Sequence, residues 1–233
     1  MAIGIVISTE LEAGIILEQL AGRKLSSIQH KAFHSGALGG GPQAAVCICG
    51  VGKTNAAHGT TLLLERFRPG LVYSLGVAGA YPSSGLDIGD IAVAEKEIYG
   101  DEGLAPGGEF HTMDAIRLPL FSGGGIAYYN EFPLLVPEKI KNFKARGNFI
   151  TVSACSGTLE RGREIERRFR ALCENMEGAA IAHICTLNGT PVVEIRGISN
   201  VIADRTAAPL NRQHIITAAG NVQRFFLEEV LDE

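Results

Sequence analysis

The sequence predicts an α/β fold: a three-layer α/β/α sandwich on a mixed, mostly parallel central sheet. Three observations carry that reading. Apolar runs bounded by glycine alternate with stretches of helical spacing along the chain. Glycine takes 29 of 233 positions, well above the usual ~7%, so tight turns and close backbone approaches are frequent. Charged residues make up only 20%, against a typical ~25%, which leaves ample apolar surface for a buried sheet. No linker or repeat interrupts the pattern, and residues 1–233 read as a single domain.

The elements follow in order. Residues 2–8 are a short apolar run and read as a buried strand. Residues 9–20 place Leu11, Ile15, Ile16 and Leu20 at helical spacing. Residues 29–38 read as a strand or hairpin, 44–49 as a strand and 55–67 as a helix. Residues 71–77 form a strand that runs into Gly76-Val77-Ala78-Gly79, and 90–99 another. Residues 100–137 are rich in Gly and Pro with weak periodicity, and read as loops, some of them over a site. A strand over 148–155, helices over 159–173 and 176–187, a strand over 191–201 and a closing helix over 210–231 complete the pattern.

The bulk numbers also exclude function classes. Net charge is −4 and no basic stripe exists, so no nucleic-acid partner is expected. No apolar run reaches the ~20 residues of a membrane span. The N-terminus lacks a basic leader and a cleavage site, so no signal peptide is expected. Five cysteines, an odd number with no C-x-x-C pair, predict neither a disulfide framework nor a zinc site. Reduced thiols in a cytoplasmic protein are the plain reading. His30 and His34 lie four apart, but no third ligand lies near them in sequence, and no metal is expected.

In a sheet of this type ligands bind beyond the carboxyl ends of strands, so the residues just after each strand matter most. Gly50-Val51-Gly52-Lys53-Thr54 resembles part of a phosphate loop, but Cys47 stands where the pattern needs glycine, and Asn55 breaks the dinucleotide pattern. It reads as a strand-to-helix turn. Thr9-Glu10-Leu11-Glu12 fits a helix capping box, and also fits a general base at a strand's carboxyl end. Glu177 opens an apolar helix, where a carboxylate is costly unless paired or used, although a helix start lessens that cost. Arg196-Gly197-Ile198-Ser199-Asn200 closes a strand. The Asn200 amide offers an acceptor and two donors, which suits a 6-oxopurine; a local Asn turn is the alternative.

Taken together, these motifs resemble the nucleoside phosphorylase/nucleosidase superfamily, in its branch of 5′-methylthioadenosine/S-adenosylhomocysteine nucleosidases. The resemblance runs nearly end to end, through Gly50-Val51-Gly52-Lys53, Gly76-Val77-Ala78-Gly79, Gly89-Asp90-Ile91, Met176-Glu177 and Arg196-Gly197-Ile198-Ser199. It implies that Glu12 activates water, Met176 packs on a ribose and Glu177 binds its hydroxyls. It further implies that Val77, Ala78 and Gly79 run beneath the sugar, that Arg196 and Ser199 support base and ribose, and that Cys155 lies near the base-stacking position. It implies no cofactor, a small nucleoside as partner, and a cytoplasmic homo-oligomer, dimeric or larger.

Two departures refine this. Asn200 stands where adenine-directed nucleosidases carry Asp. Val77 stands where phosphorolytic relatives carry a hydroxyl for phosphate. With Tyr99-Gly100-Asp101-Glu102-Gly103 and the turn continuing into Ala80-Tyr81, the chain resembles the futalosine hydrolases, which release hypoxanthine in an alternative route to menaquinone. His111, Arg117 or a neighbouring subunit is the expected partner for the substrate's carboxylate. The alternatives are an adenine-directed nucleosidase acting on methylthioadenosine, S-adenosylhomocysteine or aminodeoxyfutalosine, a phosphorylase, and a catalytically silent nucleoside-binding protein.

Overall fold

A computed structural model describes residues 2–205 and 211–231. The opening apolar run forms β1 (Ile3–Ile7), buried at all five positions, as a strand covered on both faces requires. Thr9 caps α1 (Glu10–Glu18), its hydroxyl accepting from the Glu12 amide at 3.4 Å. Strands β2 (Leu20–Ile28) and β3 (Lys31–Leu38) form an antiparallel hairpin. Gln29 and His30 turn it with positive φ, the hand that suits the twist of paired strands. After β4 (Gln43–Ile48), Gly52 caps α2 (Lys53–Phe67) at φ +92°, a conformation that favours glycine.

Strands β5 (Leu71–Ala80) and β6 (Ile91–Tyr99) follow. The Gly-rich stretch holds two small ribbons, β7 (Gly103–Leu104) with β8 (His111–Thr112) and β9 (Phe121–Gly123) with β10 (Ile126–Tyr128). Then come β11 (Glu131–Pro133), β12 (Arg146–Thr151), α3 (Leu159–Phe169), β13 (Ala171–Asn175), α4 (Gly178–Leu187), β14 (Val192–Val201) and α5 (Arg212–Phe225).

The main sheet is mixed. β1 pairs in parallel with β4 and β5, β5 with β14, and β12 with β6 and β13. β11, β3 and β2 add antiparallel partners. Because β13 also joins β5, and β14 also joins β6, the strands β5, β13, β12, β6 and β14 close into a ring. One face packs on α1 and α5, with Ile5, Ile16, Leu75, Ile195 and Phe226 at the core. The other packs on α2 and α4 around Phe33, Leu63, Phe132 and Ile181.

Two expectations are corrected. The helix expected over 159–173 stops at Phe169, because Arg170 takes a left-handed conformation, and 171–175 is a strand. The strand expected over 148–155 ends at Thr151, so Cys155 lies in a loop. The expected start of the last helix, Leu210, lies outside the described residues. No helix is long and apolar enough to cross a membrane among the described residues.

Candidate active site

The carboxyl ends of β1, β5 and β14 and the start of α4 converge on a cavity of about 270 Å³. Glu12, Val77, Ala78, Gly79, Cys155, Met176, Glu177, Ser199 and Asn200 all line it. Arg196 does not. It lies beneath, 1% exposed.

Glu12 reaches the cavity from the first turn of α1. Its Oε2 accepts from Thr9 Oγ at 2.7 Å and its Oε1 from the Val77 amide at 3.1 Å. The motif therefore starts a helix and also aims a carboxylate into the cavity. Burial pushes the Glu12 carboxyl up; the Thr9 hydroxyl, Arg196 and the Val77 amide pull it back, and Glu177 adds to the rise. A carboxylate raised in this way is suited to accept a proton near neutral pH.

Glu177 stands at the N-terminus of α4, 5% exposed. Its Oε1 accepts from the Gly52 amide at 2.8 Å, and its Oε2 lies 4.0 Å from Arg196 Nη1. The glycine turn that failed as a phosphate loop thus turns an amide toward a carboxylate. Lys53, next along, pairs with Asp101 and with Glu102, and Asp101 accepts from the Ser153 amide at 2.6 Å. The Tyr99-Gly100-Asp101-Glu102-Gly103 segment so ties the start of α2 to the loop that carries Cys155.

Arg196 also bonds Glu194 through Nε at 2.7 Å and Ser74 Oγ through Nη2 at 3.2 Å. Burial alone would depress a guanidinium; Glu194, Glu177 and Glu97 reverse that and hold it charged. Gly76 makes this possible. A Cβ there would stand 2.5 Å from Arg196 Nη1 and 3.1 Å from Glu12 Oε1.

A register shift between Ile198 and Asn200 re-aims the end of β14, a common use of a bulge beside a site. Gly79 leaves room for the Asn200 amide, since a Cβ there would meet Nδ2 at 2.9 Å. Ser199 Oγ lies 3.2 Å from Asn200 Oδ1 and 3.2 Å from the Ala78 carbonyl, and its one proton serves one acceptor at a time.

The sequence reading missed several neighbours. Glu174 lines the cavity with one face, while its oxygens accept from Ser156 and Tyr81. Asn175 lies at the end of β13, a strand hidden by the helical expectation. Arg205 also lines the cavity, whereas His111 and Arg117 do not. His111 faces a separate cavity of about 630 Å³ built from Phe110, Tyr128, Tyr129, Asn130 and Arg168.

A fold closed around strand-end carboxylates, with a hydroxyl-free glycine turn beneath them, defines a class. The chain belongs to the phosphorylase superfamily, whose family model matches residues 2–231. It is similar to the 5′-methylthioadenosine/S-adenosylhomocysteine nucleosidase of Maridesulfovibrio salexigens, 29% identical over 97% of each chain. The nucleosidase of the same name from Geobacillus kaustophilus is 32% identical over 94% of this chain and 92% of its own. Among solved structures, that from Colwellia psychrerythraea, in complex with adenine, is 26% identical, with a TM-score of 0.79 over 97% of this chain and 93% of its own. The one from Neisseria meningitidis, in complex with methylthio-immucillin-A, shares the fold at a TM-score of 0.82 and 23% identity over 98% of each chain. Within the superfamily this chain is a nucleosidase, a hydrolase of N-glycosidic bonds.

Proposed function

We propose that the chain hydrolyses futalosine, releasing hypoxanthine and dehypoxanthine futalosine in the alternative menaquinone route. The observation that carries this choice of base is Asn200, a neutral amide in the cavity wall where an adenine-directed enzyme needs an acid. The N7/O6 edge of a 6-oxopurine presents two acceptors, that of adenine one acceptor and one donor. The amide NH₂ of Asn200 donates to such an acceptor pair without giving up a proton. Arg205, a second lining residue, adds a cation that suits an oxo group or a substrate carboxylate.

In the reaction, Glu12 takes a proton from water as the oxygen attacks the anomeric carbon. The glycosidic bond breaks with its electron pair on the purine, and the departing base takes its proton from solvent. Glu177 holds the ribose hydroxyls and sets negative charge near the oxocarbenium-like carbon, a preorganised electrostatic effect. Met176 and the 76–79 turn pack on the sugar, and Cys155 lies beside the base. Val77 supplies no hydroxyl for phosphate, which supports water as nucleophile. The family resemblance also supports a cytoplasmic homo-oligomer, which light scattering on the purified protein tests.

A second reading, an adenine-directed nucleosidase acting on methylthioadenosine or S-adenosylhomocysteine, is favoured by the names of the relatives. One experiment separates the two. The protein is incubated with futalosine, inosine, methylthioadenosine and S-adenosylhomocysteine, with and without phosphate, and the released base is identified. Hypoxanthine from futalosine without phosphate is the expected product. Adenine release with futalosine left intact would establish the second reading instead.

A further inference from the structure

Beneath the cavity lies a pair of carboxyls that the mechanism does not use. Glu97 on β6 and Glu194 on β14 are both 0% exposed. A Cβ built on Gly178 would stand 2.2 Å from Glu97 Oε1 and 2.4 and 2.5 Å from the two oxygens of Glu194. Both carboxyls therefore crowd one small space against the first residue of α4. Two bare carboxylates in such a space repel, and sharing one proton relieves the repulsion.

The donors around them are unequal. Glu97 Oε1 accepts from Asn175 Nδ2, and its Oε2 from Thr151 Oγ at 2.8 Å and the Ile98 amide at 3.2 Å. Glu194 Oε1 accepts from Arg196 Nε at 2.7 Å. Glu194 Oε2 is buried with no donor among the described residues. A proton held between the carboxyls supplies that donor and removes one charge.

We infer that Glu97 and Glu194 share one proton, and that this pair is the positioning device for Glu177. The pair reaches Glu177 from two sides. Glu97 fixes Asn175 and Thr151. Asn175 Oδ1 accepts from the amides of Glu177 and Gly178 at 2.9 and 2.7 Å, and Thr151 Oγ from that of Ala179 at 2.7 Å. Those amides open α4. Glu194 fixes Arg196, whose guanidinium faces Glu177 Oε2. The inference rests on nucleosidase activity and not on the choice of purine.

The charged and titratable groups around the pair are Arg196 on β14, Glu177 at the start of α4, Cys173 on β13 and Tyr99 at the end of β6. Burial, then the neighbouring Glu194, pushes the Glu97 carboxyl well above the usual carboxylate range, against the pull of Arg196. The folded protein thus keeps a proton that the unfolded chain gives up. Its contribution to stability is full at low pH and declines as pH rises from the ordinary carboxylate range toward the raised one.

The test compares wild type with Glu97→Gln and Glu97→Leu. Infrared spectra of protein labelled with ¹³C-Glu are recorded at pH 7, Tm is measured from pH 5 to 9, and base release is followed from whichever of futalosine and methylthioadenosine wild type cleaves. Wild type is expected to show a carboxylic-acid carbonyl band that is absent from Glu97→Gln. The wild-type Tm should fall with rising pH more steeply than that of Glu97→Gln. Glu97→Gln should keep kcat within roughly tenfold of wild type, the scale of one rearranged buried hydrogen bond. Glu97→Leu strips acceptors from Asn175 and Thr151 and should lose ~10²-fold through misplacement of Glu177. Identical bands, or identical Tm slopes, in wild type and Glu97→Gln would overturn the shared proton. Wild-type kcat in Glu97→Leu would overturn the positioning role. Should Glu97→Leu fail to fold, a Glu97→Gln loss of ~10²-fold or more would overturn it as well. The infrared and Tm arms stand whether or not either nucleoside is cleaved.

Discussion

Two of the molecule's cavities are of opposite design. The smaller, of about 270 Å³, sits at the strand ends and gathers Glu12 and Glu177, each held by a backbone amide, together with Asn200. The larger, of about 630 Å³, is made by the Gly-rich stretch and α3. Aromatic rings and polar side chains line it, and His111 lies 3.7 Å from Glu109 in an exposed contact, of a kind that is weak in water. Size therefore does not mark the site. What marks it is the number of buried charged groups held by donors that cannot move.

The strongest way to break that comparison is Glu12→Gln. Losing the base should cost ~10²–10⁴-fold in kcat. Because burial raises the Glu12 carboxyl, folding favours its neutral form, and at neutral pH the variant should melt no lower than wild type. In wild type, kcat/KM should fall on the acid side at a pH above the usual carboxylate range, since the base must be ionised to act. Near wild-type turnover in Glu12→Gln, or an acid limb at an ordinary carboxylate pH, would remove Glu12 from the role.

Gly76→Ala probes the rigidity of the same cavity. The new methyl group would press on Arg196 Nη1 and Glu12 Oε1 together, and a shift of about 1 Å there should cost up to ~10²-fold. Kinetics matching wild type would show that the two groups need no fixed spacing.

Asn200→Asp should act on selectivity more than on rate. The ratio of 6-oxopurine to adenine release is expected to drop by ~10-fold or more, one bidentate base contact being worth about 1–3 kcal/mol. An unchanged ratio would take base choice away from Asn200. The smallest effect belongs to the other cavity: His111→Ala should leave kcat/KM within about twofold, as an exposed ion pair is worth about 0–1 kcal/mol. A tenfold loss there would mean the larger cavity serves the reaction after all.

The strand ends are legible where a site residue comes soon after a strand with an unbroken apolar run. Glu12 follows β1, residues 76–79 end β5, and Asn200 ends β14. The positions that were not legible depend on pairing across the sheet. β2 carries no apolar alternation, since nearly all of it is exposed, so no period betrays it. β13 was absorbed into a helix because Ile165, Phe169 and Cys173 continue the helical spacing, and the left-handed turn at Arg170 has no glycine to announce it. Glu97 and Glu194 lie far apart in sequence, and only the closure of the ring brings them together. Asn175 ends β13, and its side-chain oxygen accepts from the amides that open α4.

The ring of β5, β13, β12, β6 and β14 has a further consequence. A closed ring has no unpaired backbone edge, so no foreign strand can add itself to the ring beside the cavity's carboxylates. The free margins of the sheet are moved elsewhere and guarded. β11 is three residues long and ends on Pro133, which has no amide hydrogen to offer. β2 is longer, but a bulge between Ala21 and Lys24, with Gly22 at φ +64°, bends it. Arg23 and Lys24 stand there as charged sentries against pairing with another chain. The same closure that holds the nucleosidase site also leaves the sheet's free margins to β2 and β11, outside the ring.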